Sequence, residues 1–103
     1  MEMPKGFKAV KQTVIEALQA GAFRHETRSQ MDLKNLLQCG AVKAVEVRAL
    51  IQRAIGTEYT CAPHHYIAEI DVHIIKTQGW YIKFYFVGDP DTVFISIHRT
   101  CAS

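Results

Sequence analysis
Little in this sequence is extreme, and each scarcity narrows what the chain can be. No run approaches the roughly 18 apolar residues of a membrane-spanning helix, so none is expected. The opening "MEMPKGFKAVK" lacks the apolar centre of a secretory signal, and the expectation is a cytoplasmic protein. Cysteine is sparse: Cys39, Cys61 and Cys101 are an odd count at unrelated spacings, which points to free, buried thiols rather than a disulfide framework. There is no glycine-rich phosphate loop, no G-x-S-x-G and no cysteine–histidine nucleophile arrangement. Cys61, His64 and His65, with His73 beyond, match no zinc-ligand spacing, so neither a metal nor a cofactor is expected. A net charge of only +2 means that nucleic-acid contact would depend on local clustering of basic residues.

What is present is an ordinary globular composition, 49% hydrophobic and 21% charged, on a chain that fits a single domain over residues 1–103. Phe7, Val10, Val14 and Leu18 recur at helical spacing and Gly21 follows, predicting a first helix over 5–20. "AFRHETR" breaks that pattern. Ser29 can cap a second helix through Leu33, Leu36 and Leu37 to Gly40, and "VKAVEVRALIQRAI" predicts a third over 42–55, ended by Gly56. From residue 57 the period changes to two. "TEYTC" reads as a short edge strand, "APHH" as a break, and 65–75, 80–87 and 92–99 as the main strands. The expected fold is α+β, with N-terminal helices packed on one face of a C-terminal antiparallel β-meander.

Parity sets the expected registers, because directly opposed residues share a face. Matching the apolar sets of the first two main strands predicts a three-residue loop, Thr77-Gln78-Gly79. The second hairpin predicts a four-residue loop, Gly88-Asp89-Pro90-Asp91. With these registers His73, Lys83 and Ser96 form one cross-strand row. Tyr81 lies opposite His98, and Asp71 opposite Tyr85, which lies opposite Phe94.

A solvated face is the plain explanation for polar strand residues, since antiparallel sheets commonly show water one side. Histidine is not a favoured residue there, yet two occur. The combination also suits cleavage of RNA through its own 2′-hydroxyl, which needs a proton acceptor, a cation near the phosphate and an acid for the leaving oxygen. His98 or His73 can serve as base or acid, Lys83 and Arg99 can hold the phosphate, and Tyr81 can donate a hydrogen bond or stack on a base. Arg24, His25, Arg28, Lys34, Lys43, Arg48 and Arg53 could form a basic rim, although a solvated helical face explains most of them.

The layout resembles the RelE-like toxins of bacterial toxin–antitoxin systems, nearest the MqsR family of mRNA interferases. The likeness is carried by "QAGAFRHETR" at 19–28, "DVH" at 71–73, "GWYIK" at 79–83 and "SIHR" at 96–99. It implies a RelE-like fold and a metal-independent endoribonuclease that cleaves mRNA. Its partners would be RNA and a cognate antitoxin protein, without a membrane, and a homodimer is left open. Tyr81 and Lys83 match the family's Tyr-x-Lys, and His98 stands where the family has a last-strand lysine, with Arg99 a substitute for it. Tyr81, His98, Lys83 and His73 are thus the expected catalytic set, and Arg99, Lys83, Tyr85, Arg24 and Arg28 the expected RNA-binding set. The departures are Glu58 near the place of a family lysine, Glu69-Ile70 for Trp-Gln, and His73 for a tyrosine. From another class, the alternative is a non-catalytic regulatory or immunity-type binding module using the polar sheet face or a sheet edge.

Overall fold
A computed structural model describes residues 6–26, 35–37, 40–64, 66–88 and 90–100. Helix α1 spans Phe7–Ala20 and buries Val10, Thr13, Val14, Ala17 and Leu18, one stripe at helical spacing. Gly21 closes it at φ 72°, and the Ala22 amide donates to the Ala17 carbonyl, a Schellman end that needs the left-handed glycine. Strand β1 is Phe23–His25. Helix α2, Ala44–Arg53, starts where the Glu46 carboxylate accepts the Lys43 amide, and turns Val47 and Ile51 inward. A single 3-10 turn at Gly56–Glu58 leads into β2, Tyr59–Pro63. Strands β3 (Asp71–Thr77), β4 (Trp80–Phe86) and β5 (Thr92–Arg99) complete a sheet of order β1-β5-β4-β3-β2.

The α+β class and the order of helices before the main strands agree with the sequence reading, but the sheet is mixed rather than purely antiparallel. β1 pairs in parallel with β5, Phe23 facing Thr92 and His25 facing Phe94. Two helices are described instead of three. Most of the second predicted helix lies outside the described residues. Of its remainder, Asn35 bridges Ile97 and residues 36–37 form a turn.

Both hairpins differ from their predicted registers. β3 and β4 are joined by Gln78-Gly79 alone, with Thr77 facing Trp80 and His73 facing Phe84. The two turn residues have φ 53° and 80°, the positive pair of a type I′ turn, whose twist matches that of the flanking strands. In the second hairpin Tyr81–His98 and Lys83–Ser96 pair as predicted. A bulge then places Ile95 as the extra residue, so that Phe84 faces Phe94 and Tyr85 faces Val93. The bulge explains how Phe94 and Ile97, three residues apart, both point into the core, where a regular strand would send them to opposite faces.

The core lies between the helices and one sheet face: Val10, Val14, Leu18, Val47 and Ile51 meet Ile75, Ile82, Phe84, Phe94 and Ile97. No helix among the described residues is long and apolar enough to cross a membrane.

Candidate functional site on the sheet face away from the helices
On the far face, Tyr81 and His98 stand opposite each other on β4 and β5 with their rings stacked, centroids 5.0 Å apart and planes 15° from parallel. Partial burial raises the Tyr81 pKa above its ordinary value, so the phenol keeps its proton and acts as a donor. His98 Nδ1 lies 3.0 Å from the Arg99 carbonyl oxygen. A carbonyl only accepts, so Nδ1 carries the hydrogen, and Nε2 of the neutral ring presents a lone pair. Lys76 places its ammonium 5.8 Å from the centre of the Tyr81 ring. Lys83 faces Ser96 one step along the same face, and its stem lines a small cavity of about 90 Å³ with Ala62, His64, Ile74 and Ile95.

A second cluster sits at the other end of this face. The Tyr85 hydroxyl donates to Glu26 Oε2 at 3.2 Å, and His64 Nε2 meets the same oxygen at 3.1 Å. His64 Nδ1 accepts the amides of Tyr66 and Ile67 at 3.1 and 3.2 Å, which makes Nε2 the protonated nitrogen and the donor to Glu26. The ring is buried, edge-on to Tyr85 with centroids 5.2 Å apart. This histidine accounts for another departure from the sequence reading. Residues 66–70, expected to open a long strand, are a turn in which His64 accepts the Tyr66 and Ile67 amides and the Ile70 amide donates to the Ile67 carbonyl.

Of the expected catalytic residues, Tyr81, Lys83 and His98 share the far face. His73 lies on the opposite, helix-side face, because the two-residue turn shifts β3 by one position. There it is buried between Tyr59, Phe84 and Phe86, and its Nδ1 shares a 2.8 Å hydrogen bond with the Tyr59 hydroxyl. Burial first, then Cys61 and Asp71 beside it, push the Tyr59 phenol far up, so it stays protonated. Asp71 therefore does not face Tyr85.

Of the expected RNA-binding residues, Lys83 and Tyr85 are on the far face, and Arg24, exposed, joins them by pairing with Val93. Arg99 points to the helix side and lies over the Trp80 ring at 5.5 Å. Arg28 is outside the described residues. Glu26 and His64 are not among the expected site residues: "HET" and "APHH" read as breaks between elements, and the sequence offers His64 only as a metal ligand, at a spacing that fits no zinc site.

Cys61 is exposed rather than buried. It shares the helix-side face with His73, whereas His64 is committed to the far face, so the cysteine and histidines that are close in sequence diverge in space. His65 is outside the described residues. Among the described residues no three His, Cys, Asp or Glu side chains converge as metal ligands. Comparison of the chain with protein-family models, with curated proteins and with solved structures returns no match in any of the three.

Proposed function
We propose that the β4–β5 far face binds single-stranded RNA and cuts it through the 2′-hydroxyl, as an mRNA-interferase toxin held in check by an antitoxin partner would. The observation that carries this is the Tyr81–His98 pair, with the His98 tautomer set by the Arg99 carbonyl, beside Lys83 and Ser96. In the reaction His98 Nε2 takes the proton of the 2′-hydroxyl as its oxygen attacks phosphorus. The bond from phosphorus to the 5′-oxygen breaks, and that oxygen takes the proton of the Tyr81 hydroxyl, which solvent later replaces. The products are a 2′,3′-cyclic phosphate and a 5′-hydroxyl. Lys83, a diagonal neighbour of His98 at about 7–8 Å between Cα atoms, is placed to hold the non-bridging oxygens. Tyr81, His98 and Lys76 combine aromatic surface with positive charge, the features that receive unstacked bases.

The test is incubation of the purified protein with a short RNA and with its all-deoxy counterpart. Cleavage is expected of the RNA alone, ending in cyclic phosphate. His98→Ala should lower the rate about 10²–10⁴-fold, the usual worth of a positioned acid or base, with the far-ultraviolet circular dichroism unchanged. Equal cleavage by wild type and His98→Ala would remove the proposed base. The toxin part is tested separately: induction in a bacterium should arrest growth and degrade mRNA in the wild type only.

A non-catalytic binding module is the second reading. It is favoured by the way Tyr81 and His98 rest on each other and the Tyr85 hydroxyl is already bonded to Glu26. RNA bound but left intact would select it.

A further inference from the structure
On the helix-side face, at the sheet edge remote from β1, the structure combines an edge strand with a pocket. Among the described residues β2 pairs only with β3, and Thr60, Cys61, Ala62 and Pro63 are all exposed. The His64 amide donates to the Ile70 carbonyl, which sets the phase of the ladder. Thr60 and Ala62 therefore direct their backbone groups toward β3, and Tyr59, Cys61 and Pro63 direct theirs outward. The Tyr59 amide is taken by Gly56, and Pro63 has no amide hydrogen. Among the described residues, what remains on the edge is one donor, the Cys61 amide, and three acceptors, the carbonyls of Tyr59, Cys61 and Pro63.

Beside this edge lies an open pocket of about 390 Å³. Its walls are Tyr59, Cys61, His73 and Phe86, with Glu69 and Asp71 among the lining residues and, among the described residues, no lysine or arginine there. Cross-strand partners share a face, so a residue opposite Cys61 on an added strand would point its side chain into this pocket.

We infer that the β2 edge and this pocket receive an extended peptide strand, with a lysine or arginine opposite Cys61. The backbone of that residue pairs with Cys61 in both directions. Its cation lies among the Tyr59 and Phe86 rings and the carboxylates of Glu69 and Asp71. The edge offers one donor against three acceptors, so it asks the partner for amide hydrogens. Pro63 limits how far the ladder can run. This surface is on the opposite side of the sheet from Tyr81 and His98, and its use does not depend on whether RNA is cut there.

The experiment is a titration of the ¹⁵N-labelled full chain with acetyl-Thr-Val-Arg-Val-Thr-amide, read at the backbone amides. The Cys61 amide should shift and become protected from hydrogen exchange. Binding should weaken about tenfold or more in Glu69→Gln/Asp71→Asn, consistent with loss of a charge-assisted contact. It should vanish when the arginine amide is N-methylated, because that amide donates to the Cys61 carbonyl. Four outcomes would overturn the inference: no binding at millimolar peptide; equal binding when glutamate replaces arginine; undiminished binding to the doubly neutralised variant; or sedimentation showing a dimer that the peptide does not dissociate.

Discussion
The four described histidines differ in what their ring nitrogens meet, and that decides what each can do. His98 is left with an accepting Nε2 on a surface. His64 has both nitrogens committed, to two amides and to Glu26, and is a clasp for the turn at 66–70. His73 is enclosed by aromatic rings. His25 Nδ1 accepts the Asn35 amide at 2.9 Å, and burial lowers its pKa. Unfolded, His25 takes up a proton near its ordinary value of 6.5, and folded only at lower pH. Between those values the unfolded state binds more protons, so stability is full above pH 6.5 and falls as pH drops through the window. The urea midpoint of the wild type should therefore fall more than that of His25→Gln between about pH 7.5 and about pH 5.5, a range that brackets histidine titration. Glutamine retains a carbonyl to accept the Asn35 amide and lacks the titration. An identical fall in both proteins would exonerate His25.

At the scale of elements, two small features redirect the sheet. Gln78-Gly79 fixes the β3–β4 register, and Gln78 is the only non-glycine residue at positive φ among the described residues. Gly79→Ala places a β-carbon at φ 80° and should cost about 1–2 kcal/mol in denaturant unfolding, without loss of cooperativity. A loss under about 0.3 kcal/mol would mean that the turn relaxes freely. The longer periodic segments were legible: α1 and α2 lie within two residues of their predicted bounds, and β4 and β5 within one. β1, only three residues long, carries too little pattern to be seen. The first register was misjudged because β3 is apolar at both parities. Val72 and Ile74 face one way and Ile75 the other, and all three lose water, so alternation could not choose between faces. That single shift separated His73 from Lys83. Tyr81, Lys83 and His98 survived because their pairing depends on the second hairpin, whose register holds up to the bulge. The Glu26–His64–Tyr85 cluster joins three distant segments, and nothing local announces it.

Across the whole molecule the sheet has two unlike sides. One is closed by α1 and α2, except where the pocket opens beside β2. The other is partly overlaid by the turn at 66–70 and elsewhere carries Tyr81, Lys83 and His98 toward solvent. The five-stranded order has a temporal side as well. β1 comes early in the chain, but its partner β5 comes after every other described strand, and the long stretch 26–91 must be closed into a loop before the two can meet. The hairpins linking β3, β4 and β5 involve short closures and can assemble first. Phe23 packs edge-on against Phe94, centroids 5.7 Å apart. Phe23→Ala should accordingly speed unfolding and leave the refolding rate almost unchanged in a stopped-flow chevron, costing less than the roughly 3–5 kcal/mol of a fully buried phenylalanine. A slowed refolding arm would place β1 in the folding nucleus instead. On a ribosome, this order leaves Phe23 and its neighbours waiting through the synthesis of the rest of the sheet, so for that interval the nascent chain carries an unpaired strand that a chaperone or a second nascent chain can reach.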